Sequence, residues 1–316
     1  MGTGARSEDS IASLLLTTRL GDAVAAPLSP SRYWRLLDAV PEPAVLLGLA
    51  VDDLAWRTGL SHDDVLQVER LLAGATNLAF ALERLERQGF VPLTAFDESY
   101  PTRLRERLAD QAPPVLFAVG DRALLSTDGI GIVGSRSVTQ EGAEVSRAVA
   151  ERAAAEGLIV ISGGAKGVDQ AAMSAAHSAG GRVVTYLADS LQRRVREPET
   201  RRAVAGGLVC LATPYGPSAG FSAANAIGRN KLIYASARMT LVVAGDLERG
   251  GTWAGATEAL GRGSGTVAVW VGPGAGPGNA RLVEHGAIPV SDLAAVFEAP
   301  RAPAAPAGSD QLQFGL

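Results

Sequence analysis

The sequence predicts a doubly wound α/β fold. From Pro114 onward, continuous runs of Val, Ile and Leu alternate with helical runs, which is the pattern of parallel strands covered by helices on both faces. The chain has 316 residues, 47% of them hydrophobic, so it can bury a sizeable core, and its longest apolar runs are strand-sized. The expected architecture is an extended Rossmann-like domain with a mostly parallel sheet, in which ligands bind at the carboxyl ends of the strands.

The first 115 residues are predicted to be helical. Short amphipathic segments are separated there by Pro, Gly or Asp, residues that interrupt helices. Ser61 precedes an acidic first turn, as an N-cap does, and Gly74 and Gly89 follow periodic runs, where helix C-caps belong. The predicted segments are Ile11–Leu20, Tyr33–Ala39, Ala44–Ala50, Val51–Thr58, His62–Ala73 and Asn77–Gln88.

The remainder of the chain alternates between strands and helices, because each apolar run has the length of one strand. The strands are predicted at Val115–Val119, Gly129–Val133, Leu158–Ser162, Arg182–Leu187, Leu208–Ala212, Met239–Ala244, Thr266–Val271 and Ile288–Val290. The helices are predicted at Thr139–Glu156, Val168–Ala179, Glu199–Ala205, Ala223–Ala237, Trp253–Gly261 and Asn279–His285.

Composition argues against several classes of protein. The single cysteine, Cys210, excludes an internal disulfide framework and a cysteine-based zinc site, and three scattered histidines argue against a histidine-rich metal centre. We expect neither a metal nor a cofactor. No apolar run approaches the roughly 18 residues of a membrane span, and the acidic start of the chain does not resemble a signal peptide. The expectation is a cytoplasmic protein that does not contact a membrane.

Positive charge is concentrated in one segment of a chain whose formal net charge is −4. Of the 29 basic residues, only Lys166 and Lys231 are lysines. Residues 190–238 hold seven arginines and Lys231 against Glu197 and Glu199, which gives +6 there and −10 in the rest of the chain. Such a segment can hold an anion locally. On charge alone, a solvated arginine-rich face is the simpler interpretation.

Two predicted strands end in glycine-rich turns that carry a cation. Glycine lets the backbone approach an anion closely, and a helix N-terminus supplies free N–H groups. The cations and the serine hydroxyls add charge and donors. We therefore interpret both turns as phosphate-binding, the alternative being tight turns that need only glycine. The first turn consists of Gly134, Ser135 and Arg136, and the second contains Ser162, Gly163, Gly164, Lys166 and Gly167.

Two further segments carry the same types of residue. Arg229 and Lys231 stand close together in the sequence beside the amides Asn225 and Asn230, an arrangement that suits a chain of phosphates better than a single one. Farther on, Gly251 and Thr252 again place a glycine and a hydroxyl before a predicted helix. Phe221 fits a base-stacking residue and a core aromatic equally well.

Neither standard nucleotide motif is present in these turns. A Walker A loop requires Ser or Thr after its lysine, whereas Gly167 follows Lys166. A dinucleotide fingerprint requires Gly-x-Gly-x-x-Gly after a strand, whereas Gly129-Ile-Gly131 stands at the start of its strand and not after it, and Gly163-Gly-x-x-Gly167 has a different spacing. ATP hydrolysis and a standard NAD enzyme are therefore disfavoured.

The motifs occur in an order that resembles the DNA-processing protein A family, also called Smf. The resemblance covers roughly residues 30 to 290, and Gly228, where the family usually has a second arginine, marks a departure. With no winged-helix stretch after Pro300, we expect a divergent branch. The motifs that carry the resemblance are Tyr100-Pro101, Pro113 to Asp121, Gly134-Ser-Arg136, Ser162-Gly-Gly-Ala-Lys-Gly-Val-Asp169, Gly228-Arg-Asn-Lys231 and Gly250-Gly-Thr-Trp-Ala-Gly255.

The resemblance implies a non-catalytic protein that binds single-stranded DNA in a basic pocket. It also implies a homodimer formed through the Rossmann-like domain and a role in loading the recombinase RecA during recombination and natural transformation. The pocket would be lined by Arg136, Ser162, Gly163, Gly164, Lys166 and Gly167 and continued by Arg229, Asn230 and Lys231. The implied division is an N-terminal helical extension (1–30), a helical domain like a sterile alpha motif (31–112), a Rossmann-like DNA-binding domain (113–298) and a disordered tail (299–316).

The alternative function is a nucleotide-binding sensor or a phosphoribohydrolase-like enzyme on the same fold. Gly250-Gly251-Thr252 followed by Glu258 echoes the Pro-Gly-Gly-x-Gly-Thr-x-x-Glu motif of such enzymes, without its proline and with a different spacing. Glu258 is therefore predicted to be a helix-surface charge. In the tail, residues 311–316 loosely resemble a sliding-clamp peptide, although an inert terminus is the simpler interpretation.

Overall fold

The structure, a computed structural model, describes residues 6–21 and 24–298. The predicted tail and its clamp-like peptide lie outside the described residues. The α-helices are α1 (Glu8–Thr17), α2 (Pro30–Ala39), α3 (Val51–Thr58), α4 (His62–Leu72), α5 (Ala75–Arg87), α6 (Thr102–Leu108), α7 (Gln140–Ala155), α8 (Val168–Ser178), α9 (Leu191–Arg196), α10 (Pro198–Ala205), α11 (Ala223–Ser236), α12 (Gly250–Arg262), α13 (Asn279–Glu284) and α14 (Leu293–Glu298). The strands are β1 (Val91–Thr94), β2 (Val115–Gly120), β3 (Gly129–Gly134), β4 (Ile159–Ser162), β5 (Val183–Tyr186), β6 (Val209–Thr213), β7 (Met239–Ala244), β8 (Val267–Trp270) and β9 (Ile288–Val290).

The observed strands follow the prediction closely with one exception. Each of β2 to β9 begins and ends within one residue of its predicted bounds. Strand β1 was missed, because four residues that include Pro92 show no alternation of apolar and polar side chains. The predicted helix Ala44–Ala50 is wrong in extent: a 3-10 turn forms at Pro43–Leu46, and Gly48 then adopts a φ of +75° that ends it.

Contacts divide the chain into two units, of which the first comprises Met1–Ser126 and Leu187–Asn225. Its strands lie in the order β1-β2-β6, and both pairs are antiparallel. The prediction was a mostly parallel sheet, and the β1–β2 and β2–β6 pairs are its antiparallel part. In this unit β2 is joined to β1 through α6 and two short turns, so no long helical crossover places it parallel to a neighbour. The predicted domain boundaries at residues 30 and 112 stay predictions.

The helical part of the first unit packs around α1. Leu14, Leu15 and Leu16 are almost fully buried, and the hydroxyl of Tyr33 shares a hydrogen bond of 2.7 Å with Ser13 Oγ in the same interior. Burial raises the pKa of Tyr33, so this phenol stays protonated and can serve as a donor. The apolar side chains of α1 are therefore held in place by a buried polar contact as well as by packing.

The second unit, Thr127–Tyr186 with Ala226–Leu316, contains six parallel strands in the order β5-β4-β3-β7-β8-β9. The chain moves outward from β3 through β4 and β5, then starts again on the other side with β7. This reversal is the switch point of a doubly wound sheet, and it confirms the predicted α/β fold class. Helices α7 and α8 pack on β3 and β4, whereas α13 packs on β7 and β8.

The N-cap predicted at Ser61 is confirmed and gives a test of the local fold. Ser61 Oγ accepts a hydrogen bond from the backbone N–H of Asp64 at 3.3 Å, in the first turn of α4. We expect Ser61→Ala to lower the free energy of unfolding by about 1 kcal/mol, because that N–H loses its acceptor. Urea denaturation measures the change. Ser99→Ala, which removes an exposed hydroxyl from a turn, is the control and should change it by less than about 0.5 kcal/mol.

Candidate nucleic-acid interface

The loop after β3 begins at the switch point of the second unit. The register of β3 with β7 shifts between Val133 and Gly134, and the backbone N–H of Ser135 donates to the carbonyl of Ala244 at 2.7 Å. A Cβ at Gly134 would lie 2.5 Å from Val168 Cγ2, so only glycine fits here. The loop therefore leaves the sheet tightly against the start of α8, and it exposes Arg136 to solvent.

The loop between β4 and α8 is in direct contact with the loop after β3. Gly167 has a φ of +81°, and a Cβ there would overlap the carbonyl oxygen of Ser135 and lie 2.8 Å from that of Arg136. The N–H of Val168 also donates to Ser135 O at 3.3 Å. Arg136 and Lys166 consequently project from adjacent stretches of backbone, and both side chains are exposed.

The amides of the second loop are used by the protein itself. The carboxylate of Asp169, the second residue of α8, accepts hydrogen bonds from the N–H groups of Gly163 at 3.1 Å and Ala165 at 3.3 Å. Asp169 is only 5% exposed, and burial raises its pKa, while the charge of Arg229 and these hydrogen bonds oppose that rise. An acidic side chain of the protein therefore already uses the amides at the start of this helix, where a bound phosphate would otherwise lie.

Arg229 lies inside the protein and not on its surface. The residue is 6% exposed, its guanidinium donates to the carbonyl of Tyr186, and a Cβ at Gly163 would overlap the same guanidinium. The sequence interpretation placed Arg229 among the groups that contact DNA, which stays a prediction. The structure also shows why residue 163 is a glycine. Because Gly163 has no side chain, the Arg229 guanidinium can lie against the loop.

A second group of predicted residues joins α11 to α12. The Asn230 side-chain amide donates to the carbonyl of Gly251 at 2.7 Å, and a Cβ at Gly255 would lie 3.1 Å from both Asn230 Cβ and Tyr234 Cε2. Helix α12 already begins at Gly250, so the expected glycine turn before Trp253 is wrong. Gly251 and Gly255, the second and sixth residues of that helix, are small because its partner helix lies close.

The structure thus brings most of the predicted residues together, although by different means. One contiguous group, at the carboxyl ends of β3 and β4, contains Gly134, Ser135, Arg136, Ser162, Gly163, Gly164, Lys166, Gly167 and the underlying Arg229. Within it, the Ser162 hydroxyl is fully buried and donates to Ile132 O at 2.7 Å. A second group, on α11 and α12, contains Asn230, Lys231, Gly251 and Thr252.

Asn225 belongs to the first unit, and its place in the site stays a prediction. Its side-chain amide donates to the carbonyl of Gly220 at 3.3 Å, and its own carbonyl accepts from Tyr215 Oη at 2.9 Å. Phe221, in the same segment, is 56% exposed. Exposure of this size removes the core-aromatic interpretation and leaves the ring accessible.

Sequence reasoning missed the role of Asp169. The residue belongs to a motif that was recognised, yet the loop was interpreted as a cradle with unoccupied N–H groups. The available signal was position: an acidic side chain in the first turn of a helix is favoured by the partial positive charge there, and here it closely follows a glycine-rich loop. Such an acid competes with any external anion for the same amides.

Glu258 lies on the surface of α12, as the sequence predicted. Glu258 forms an ion pair of 3.4 Å with Arg262, one turn farther along α12, as a helix-surface charge does.

Within residues 6–21 and 24–298, no group of three or more His, Cys, Asp or Glu side chains could hold a metal ion. The same residues include no helix that is long and apolar enough to cross a membrane.

Comparison with known proteins identifies the family. The family model described as DNA recombination-mediator protein A matches residues 92–300, about two thirds of the chain. The chain belongs to the DNA recombination-mediator protein A family. The resemblance inferred from the order of the glycine-rich and basic motifs is thereby confirmed.

Relatives of this DNA recombination-mediator protein A family member are similar over most of its length. The putative DNA processing protein DprA of Mycobacterium tuberculosis is 31% identical over 288 residues, which cover 81% of this chain and 72% of that protein. The X-ray structure of DNA processing protein A from Streptococcus pneumoniae superposes with a TM-score of 0.70 at 23% identity, covering 93% of this chain and 99% of that one.

A second solved structure concerns DNA processing protein A from Helicobacter pylori and its single-stranded DNA binding mode. It matches with a TM-score of 0.54 at 21% identity and covers 66% of this chain and 94% of that chain. At such identities the two structures establish a shared fold. They agree with the α/β architecture described above.

The close approach of the two loops yields a prediction about stability. We expect Gly167→Ala to lower the free energy of unfolding by about 2–4 kcal/mol, because its Cβ would overlap a backbone carbonyl at a left-handed φ. Gly261→Ala is the matched control, since nothing lies within 4 Å of its Cβ and the residue is helical. This control should raise the free energy by about 0.5 kcal/mol in urea denaturation. Equal effects of both substitutions would contradict the loop contact.

Proposed function

We propose that this chain is a single-stranded-DNA-binding, DNA-processing protein that carries out no reaction on the DNA. The observation that supports this most directly is the contact between the two glycine-rich loops, which sets Arg136 and Lys166 side by side at the switch point of the sheet. Exposed cations on a preformed backbone bind successive phosphates without reading the sequence of bases. The Helicobacter pylori relative, described by its single-stranded DNA binding mode, supports the same assignment.

Asp169 favours a polymer over a mononucleotide as the ligand. Because its carboxylate takes the Gly163 and Ala165 amides, a terminal phosphate finds no unoccupied cradle at the start of α8. Binding strength then has to come from several side-chain contacts along a strand, and single-stranded DNA provides one phosphate per nucleotide.

The alternative, a nucleotide sensor or a phosphoribohydrolase-like enzyme, gains no support from the site. Such an enzyme needs a carboxylate that faces its substrate. Glu258 is paired with Arg262, and Asp169 is buried under its own loop. We therefore assign no catalytic residue.

Salt dependence of binding tests the proposal. Affinity for an oligothymidylate should fall with salt, with a log–log slope of about −0.7 for each neutralised phosphate. Arg136→Ala and Lys166→Ala should each weaken binding on every sequence and make the slope shallower by about 0.7, because each removes one phosphate contact. Fluorescence anisotropy over a chloride series measures both quantities.

Arg262→Ala is the control for these two variants, because Arg262 is an exposed arginine in the last turn of α12, at the helix end away from the carboxyl ends of the strands. It should leave affinity and slope unchanged. A salt-independent affinity for the oligothymidylate, or binding of dTMP as tight as that of the oligomer, would contradict the proposed function.

We also propose self-association and RecA loading, both on the strength of the family. Sedimentation velocity should give twice the 32.5 kDa mass of the chain. The protein should also shorten the lag before RecA assembles on single-stranded DNA that is already covered by a single-strand-binding protein. Duplex DNA serves as the negative control, and an unchanged lag would reject the loading role.

A further inference from the structure

Two buried residues of opposite charge lie beneath the loop that carries Lys166. Asp169 and Arg229 are 5% and 6% exposed, whereas charged side chains are rarely buried to this degree unless they are paired. Asp169 reaches two backbone amides of the loop, and Arg229 lies against Gly163 and donates to Tyr186 O, at the end of β5. Each of these contacts is therefore made to the backbone, either of the loop or of the end of β5.

The two residues contact the same loop from different helices, α8 and α11. Asp169 draws the Gly163 and Ala165 N–H groups toward the start of α8, while Arg229 fills the space next to Gly163 from α11. Gly164 and Gly167, with φ values of +70° and +81°, give the loop conformational freedom that such anchors remove. Lys166 lies between these glycines, so its direction is set by the anchors and not by its own contacts.

The interior around the pair is polar as well. The Tyr234 hydroxyl is fully buried and, within the described part of the chain, has no hydrogen-bond partner. Its pKa is raised by burial and further by the negative charge of Asp169. A buried hydroxyl without a partner costs free energy. The Tyr234 hydroxyl therefore does not add to the stability of this region.

We propose that Asp169 and Arg229 are positioning residues of the candidate interface, which fix the 163–167 loop so that Lys166 and Arg136 meet the same strand of DNA. The proposal rests on the proposed function, because it assigns these residues to the single-stranded DNA site. Neither residue is assigned a contact with DNA. They act through the backbone of the loops that carry Lys166 and Arg136, the residues that are assigned a contact with DNA.

The test compares two variants of Asp169 with a matched control. Asp169→Asn keeps the shape of the side chain but removes its charge, and Asp169→Ala leaves a cavity that a formate ion fits. Asp128→Asn removes the same charge from a surface pair with Arg238 at the amino end of β3, so it controls for the change in net charge. Circular dichroism first establishes a temperature at which each variant is folded.

We expect folded Asp169→Ala to bind the oligothymidylate about tenfold or more weakly than the natural chain, because the Gly163 and Ala165 N–H groups lose their acceptor, with Asp128→Asn within twofold of it. Asp169→Asn keeps an oxygen that can accept both hydrogen bonds and should lose less affinity than Asp169→Ala. The loss is opposite in sign to simple electrostatics, since removing a negative charge near the site would by itself strengthen binding to an anion. Adding formate should restore the affinity of Asp169→Ala, measured against chloride at equal ionic strength, and should leave the natural chain unaffected. A merely stabilising role predicts natural affinity in any folded variant.

The outcomes separate the two levels of the proposal. If the natural chain itself fails to bind the oligothymidylate, the proposed function is wrong. If it binds, and folded Asp169→Ala binds equally well without formate, the positioning role is wrong. If Asp169→Ala is too unstable for its binding to be measured, thermal melting decides. A melting temperature that rises in formate but not in chloride supports an anion anchor at this position. The absence of a rise that is specific to formate overturns it, and so does a variant that stays unfolded in formate.

Discussion

The backbone of Gly167 lies against the carbonyl oxygens of Ser135 and Arg136, and the geometry of the whole interface depends on that contact. It requires a residue without a side chain at a left-handed φ, and it requires Gly134 to leave room for Val168. Because parallel strands end at the same edge of the sheet, β3 and β4 deliver both loops to one place. The contact then converts two separate turns into a single surface.

The burial of the charged side chains of Asp169 and Arg229 costs free energy. A carboxylate and a guanidinium taken out of water lose hydration that their mutual attraction rarely recovers in full. Here each also satisfies backbone groups, two amides for Asp169 and the Tyr186 carbonyl for Arg229, so that desolvation is partly offset by hydrogen bonds. An apolar pair of similar volume would pack without that cost and would leave those amides without an acceptor. The two charged side chains are therefore explained by the backbone groups that they hold in place and not by a contribution to stability.

Sequence reasoning reached the fold because β2 to β9 are continuous apolar runs whose character does not depend on tertiary context. It also reached the loops, since glycines that directly follow a strand indicate a tight turn at the sheet edge. It could not tell which way a charged side chain faces: Arg229 and Lys231 stand two residues apart on α11, yet the first is buried and the second half-exposed. Nor could it see that Asp169 bonds backwards to Gly163, because that hydrogen bond depends on the fold of the loop.

The packing of α12 on α11 has a consequence for how such chains diverge. Gly255 touches both Asn230 and Tyr234, and Asn230 in turn holds the first turn of α12 through Gly251. A larger residue at 255 therefore demands a smaller one at 230 or 234, and a change at 230 releases the carbonyl of Gly251. Because these positions are in contact although a strand and a loop separate them in the sequence, we expect the effects of substitutions at them not to be additive.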